Sequence, residues 1–311
     1  MKNKRIRIIG YLLTIVSLLY IFCTLFASRK NIVALENLNT ILLVCGVFVI
    51  PLVGIVYFNS NLLKMILEFF AGKKLEFSEF IGIFIKANIC RYLPGNVMQF
   101  VARNIYAKKI GISQAQMALG SFFEVLLVVI VSTSLTLIFA REVFITMLKE
   151  YVPFNLFYIL LFGLILFALI LLLLARRIKH LFIVYFNNIK ILGIFPLFAK
   201  SICIICLVHI VSGVVFYYLL HMVTGAEYAN IFLIISAYIV AWLIGFITPG
   251  SPGGLGVKEA ILSFLLSDVY GSAYVLVCAL LFRLITVTAD AVAFFLWVTL
   301  SKLRLGVQNP K

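Results

Sequence analysis

The sequence predicts an all-α polytopic membrane protein with about eight transmembrane helices and two segments that are broken by Pro and Gly or re-enter the bilayer. Of the 311 residues, 64% are apolar and only 12% charged, whereas a soluble domain carries roughly half and a quarter. Apolar runs of about twenty residues, the length that crosses a hydrocarbon core of ~30 Å, recur along the chain. The formal charge of +15 is carried by Lys and Arg in short stretches between those runs. That is the positive-inside pattern, not a basic face for nucleic acid, and no nucleic-acid partner is expected.

The first span, 8–27, follows Lys2, Lys4, Arg5 and Arg7 and lacks a small-residue cleavage site, which predicts an uncleaved first helix with a cytoplasmic N-terminus. Further spans are expected at 38–59, 115–139, 153–175, 198–220, 228–247 and 273–300, as helices, because a lipid-exposed chain must satisfy its backbone internally. Residues 77–110 and 247–267 differ: each holds two short apolar pieces around a Pro/Gly break. Lys64, Lys73, Lys74, Lys108, Lys109, Arg176, Arg177, Lys179, Lys190, Lys200, Lys302 and Arg304 belong on the cytoplasmic side, and the nearly balanced loops at Glu36, 141–150 and Glu227 outside. Seven clear spans alone would leave the basic C-terminus outside. One interrupted segment must therefore cross fully, and the second is the choice, with the first dipping in and returning. No linker or low-complexity tract divides the chain, so residues 1–311 form one domain.

The first interrupted segment reads KANICRYLPGNVMQFVARN over residues 86–104. Pro94 and Gly95 cannot continue a helix, so one helix should end at Leu93 and another begin near Asn96. Asn96 is placed to cap that second helix, whose N–H groups would face the break and attract an anion such as phosphate. Arg91 adds a forked donor suited to phosphate. The alternative for Arg91 and Arg103 is that they snorkel to the cytoplasmic surface beside a loop.

The second reads GFITPGSPGGLGVKEAILSFLL over residues 245–266, with Pro249, Gly250, Pro252, Gly253, Gly254 and Gly256 inside eight positions. No continuous helix survives this, and such backbone is tolerated in a membrane only where protein buries it or a wet cavity solvates it. Lys258 and Glu259 open the next helical piece, where the dipole favours Glu259. A capped turn at the membrane surface is the plainer alternative. Paired interruptions of this kind point to a substrate site in repeat-built transporters.

The remaining ionisable residues inside spans are Glu124, His209, Arg283 and Asp290, which should face the bundle interior or water. Arg283 and Asp290 lie seven residues apart on one helix face, too far to pair with each other. Each should find a partner on another helix, with Glu259 or Glu124 expected for Arg283. His209 reads as a packing residue. The six cysteines lie almost entirely in apolar runs, and Cys203 and Cys206 lack a second ligand pair, so neither a disulfide framework nor a metal is expected. No nucleophile with a nearby base, phosphate loop or dinucleotide fingerprint is present, so the expectation is a protein without catalytic residues or cofactor.

On RYLPGNVMQFVARN with the following KKIGIS, on Glu124, on TPGSPGGLGVKEA and on Arg283, the sequence resembles the transmembrane region of lysylphosphatidylglycerol synthases. This flippase-like family also occurs as stand-alone membrane proteins. The likeness spans nearly the whole chain. It rests on Arg91, Pro94 and Gly95 together with Pro252, Gly253, Gly254, Gly256 and Glu259. It implies two broken or re-entrant segments meeting inside the membrane, and translocation of a lipid across a bacterial cytoplasmic (inner) membrane. That lipid would be an aminoacylated phospholipid or a polyprenyl-phosphate glycan, with envelope-biosynthesis enzymes as further partners. The cytosolic aminoacyl-transferase domain of the full-length relatives is missing, so a lysyltransferase is not expected. On this reading Arg91, Arg103, Lys258 and Arg283 meet phosphate, with Asn96 and broken-helix backbone adding donors. Glu124, Glu259 and Asp290 meet an amino or sugar group or balance the cations. A lipid-binding accessory protein and a membrane-embedded transferase of cell-surface glycan or lipid modification are the other classes open.

Overall fold

The computed structural model describes residues 38–92, 97–139, 194–225, 230–248 and 251–308. The spans expected at 8–27 and 153–175 lie outside them. Among the described residues there are helices and turns but no strand. In chain order these are α1 (Leu38–Ala71), α2 (Phe77–Ile89), a 3-10 turn (Cys90–Tyr92), α3 (Met98–Ala107), a 3-10 turn (Lys108–Ile110) and α4 (Gln114–Phe139). Then come α5 (Ile194–Thr224), α6 (Ile231–Ile247), a 3-10 turn (Pro252–Gly254), α7 (Val257–Tyr270) and α8 (Ser272–Gln308). Four stretches, Leu43–Ala71, Gln114–Phe139, Phe195–Thr224 and Ser272–Ser301, are long and apolar enough to cross a membrane. The chain is an all-α membrane protein.

Helix α1 runs twelve residues beyond the end the sequence suggested, past Pro51 and Asn59 to Ala71. Nothing after Asn59 breaks it, and Leu62, Leu63, Ile66, Leu67 and Phe70 continue a buried stripe at helical spacing. The Lys64–Glu68 pair, 2.9 Å apart, sits one turn apart on the same stretch. As a result α1 packs on α2, α4, α5 and α8, and α8 in turn packs on α1, α2, α5 and α7. These two helices are the scaffold on which the broken segments are mounted.

The first broken segment departs from expectation at its boundaries. Helix α2 ends at Ile89, not Leu93, and tightens into a 3-10 turn. Helix α3 begins at Met98 with Val97 at the cap position, and no side chain caps it; Leu93, Pro94, Gly95 and Asn96 themselves lie outside the described residues. With 13 and 10 residues, α2 and α3 measure only ~20 and ~15 Å at 1.5 Å per residue, too short to cross alone. They pack against each other.

The second segment has the same plan. Helix α6, capped by Asn230 accepting from the Phe232 and Leu233 N–H groups, stops at Ile247, and α7 resumes at Val257. Between them Gly254 has φ +73, and a Cβ there would lie 3.3 Å from the Gly245 backbone. Glycine thus answers two demands at once, a left-handed conformation and a close approach of turn to helix. The 3-10 turns of the two broken segments touch.

Close packing of α2 on α8 also depends on a glycine. A Cβ at Gly82 would enter the Trp297 indole, whose ring also carries the Lys86 ammonium at 4.4 Å. Gly82→Leu is expected to lower stability by about 1–3 kcal/mol through overpacking, read as a drop in the midpoint of thermal unfolding in detergent.

Candidate functional site

At the first break the side chains converge on one carboxylate. Asp290, buried on α8, accepts from Asn88 Nδ2 at 2.9 Å, from the Tyr92 hydroxyl at 2.5 Å and from Arg91 Nη2. Asn88 and Arg91 are three residues apart and so share the face of α2 and its 3-10 extension that looks at α8. Arg91 also reaches the Tyr92 hydroxyl at 2.9 Å. Its side chain stays 31% exposed, against 4% for Asp290, because it opens onto a cavity.

At the second break Glu259 is the hub. One carboxylate oxygen receives Arg283 Nη1 at 2.6 Å. The other receives the Gly256 N–H at 2.8 Å, closing the first turn of α7. Arg283 therefore takes the first of its two expected partners. A Cβ at Gly253 would lie within about 4 Å of Arg283 Nη2, the Arg91 carbonyl oxygen and the Tyr92 ring, so this glycine marks where the two breaks meet. Lys258, next to Glu259, turns the other way: its ammonium donates to the Tyr238 hydroxyl at 3.3 Å and lies 4.3 and 4.7 Å from the centres of the Tyr238 and Phe282 rings.

The third pair joins Arg103 on α3 to Glu124 on α4, Nη1 to Oε2 at 2.6 Å, with both side chains buried. The guanidinium lies 4.7 and 5.4 Å from the Phe84 and Phe100 ring centres. Snorkelling to the surface is thereby overturned for Arg103: a carboxylate and two aromatic faces hold it inside. Arg91 is likewise tied to α8.

All seven charged residues line one cavity of about 240 Å³. Its walls differ in kind. The broken segments and α8 contribute backbone and all the charge except Glu124 of α4, while Leu52, Ile55, Val56, Val125, Val128 and Val208 from α1, α4 and α5 contribute hydrocarbon. Gly253 and Gly254 reach the cavity too; Pro252 contributes to the 3-10 turn and Gly256 to the start of α7.

Sequence reasoning passed over several lining residues. Asn88, Tyr92, Gln99 and Tyr238 carry polar groups into the cavity, and the signal for two of them was helical spacing: Asn88 to Arg91 at three residues, Gln99 to Arg103 at four. His209 also lines it, its Nε2 hydrogen-bonded to Ser132 Oγ at 2.7 Å and its ring edge-on to Trp242 at 4.9 Å. This agrees with a satisfied packing role, in the cavity wall. Comparison with models of known protein families and with curated proteins gave no match to this chain.

Proposed function

We propose that the cavity receives the headgroup of an anionic lipid and that the protein moves such lipids between the leaflets of a bacterial cytoplasmic membrane. The supporting observation is the two-faced cavity, mostly hydrocarbon on the α1, α4 and α5 side, Glu124 excepted, and charged where two interrupted segments meet. A lipid presents the same division at its ester linkage, and irregular backbone at a midplane cavity is how many transporters hold polar cargo. On this reading α2 and α3 dip in and return, α6 and α7 make a broken crossing, and the motif resemblance to the lysylphosphatidylglycerol synthase transmembrane region describes the protein's kinship. A cavity of about 240 Å³ suits a single headgroup. Of the two roles expected for the acids, meeting an amino or sugar group or balancing the cations, the three ion pairs favour the second.

The test is lipid movement in vesicles containing the purified protein, followed by dithionite bleaching of fluorescent phosphatidylglycerol. Wild-type vesicles should bleach both leaflets. Arg91→Ala, which leaves Asp290 with Asn88 and Tyr92, should slow the inner-leaflet phase by about tenfold, equivalent to ~1.4 kcal/mol, with an unchanged elution profile. Wild-type vesicles that bleach no further than protein-free ones would overturn transport, and lipid still bound stoichiometrically would then favour an accessory role.

A further inference from the structure

Resting on the headgroup reading above, we propose that the site selects a phosphate carrying uncharged hydroxyl groups, with Lys258 holding the phosphate and Gln99 a hydroxyl, and that it rejects headgroups bearing an ammonium.

The argument is an allocation of charge. Four cations and three carboxylates line the cavity. Asp290 takes Arg91, Glu124 takes Arg103 and Glu259 takes Arg283. Asp290 already accepts from three donors, and both oxygens of Glu259 are occupied. Among the described residues Lys258 has no carboxylate within ion-pairing distance; a phenol and two ring faces hold it. The surplus positive charge of the cavity is therefore localised at Lys258. A phosphate completes that arrangement, and in a low-dielectric cavity a charge-assisted contact of this kind is strong.

A ligand ammonium meets the opposite situation. To gain a carboxylate at Asp290 or Glu259 it must displace an arginine, a backbone N–H or another donor, and at Glu124 it must share the carboxylate with Arg103. Most aromatic rings that line the cavity already carry one of the chain's own cations, Lys258 on Tyr238 and Phe282, Arg91 on Tyr92, Arg103 on Phe84 and Phe100, while Trp242 and Phe246 stack on each other.

The uncharged end of the ligand is read from Gln99. This side chain lines the cavity and is only 8% exposed. An amide offers both a donor and an acceptor, which a hydroxyl matches by being both. One turn further along α3, on the same face, Arg103 Nε is buried without a hydrogen-bond partner among the described residues.

The full chain in detergent is titrated with phosphatidylglycerol, phosphatidic acid, phosphatidylethanolamine and lysyl-phosphatidylglycerol, and separately with glycerol 1-phosphate, with binding read by native mass spectrometry. Phosphatidylglycerol should bind about tenfold more tightly than either amine-bearing lipid. Lys258→Gln should weaken phosphatidylglycerol and phosphatidic acid alike, by about tenfold, and Lys258→Arg should restore both. Gln99→Leu should weaken phosphatidylglycerol about fivefold and leave phosphatidic acid unchanged, because only the former carries the hydroxyls. An amine-bearing lipid that binds as tightly as phosphatidylglycerol overturns the proposal, and so does a Gln99→Leu protein with an unaltered ratio of the two anionic lipids. If glycerol 1-phosphate binds with the same Lys258 and Gln99 dependence while no lipid does, the selection stands and the lipid reading falls; if nothing binds, both fall.

Discussion

Glu124→Gln is expected to destabilise the protein by about 3–5 kcal/mol, the cost typical of leaving a buried charge without its partner. The substitution keeps the shape of the side chain and removes its charge. Arg103 would then keep two aromatic faces and lose its carboxylate while its side chain stays only 6% exposed. The pair itself need not be a large net source of stability, because desolvating both ions offsets much of their attraction. Hence Arg103→Met combined with Glu124→Leu should recover most of the loss. Thermal unfolding of the purified protein in detergent, run as a double-mutant cycle, checks both statements. A loss below about 1 kcal/mol in the single variant would mean that Arg103 is solvated in the membrane-embedded protein and that the buried pair is incorrectly placed.

Glu259→Ala should cost about 3 kcal/mol, by a different division. Part comes from Arg283, whose side chain is 18% exposed and so loses less than a fully buried cation. Roughly 1 kcal/mol comes from the Gly256 N–H, which loses the acceptor that closes the start of α7. The second part is local, so hydrogen exchange should show faster amide exchange at 256–259 than in the middle of α8. Glu259→Gln, which keeps an oxygen for the Gly256 N–H, should protect those amides while still weakening the pair. Equal exchange in the two variants would show that the carboxylate does not cap α7.

The breaks were legible because their cause is local. Pro and Gly clusters stop a helix whatever surrounds them, so both segments could be located, although α2 ends four residues before Leu93 while α3 begins two residues after Asn96. Arg283 with Glu259 was within reach as well, since α7 leads directly into α8. The other two pairs were not. Arg91 and Asp290 are joined only by the docking of α2 on α8, and Arg103 with Glu124 only by the docking of α3 on α4; composition gives each charge a need for a partner without saying which. Gln99 was invisible for the opposite reason, because an uncharged amide in a short helix raises no alarm until its place in the cavity wall is seen. The extension of α1 to Ala71 was missed where Asn59, Ser60 and Asn61 interrupt the hydropathy without interrupting the helix.

Helix α8 holds the first broken segment by an anion, Asp290, and the second by a cation, Arg283. The two positions are seven residues apart, about 10 Å along the axis. A slide of α8 by a single turn would detach both latches together, and a rotation that carries one out of reach carries the other with it, since they lie on one face. A motion of this one rod would therefore act on both breaks at once.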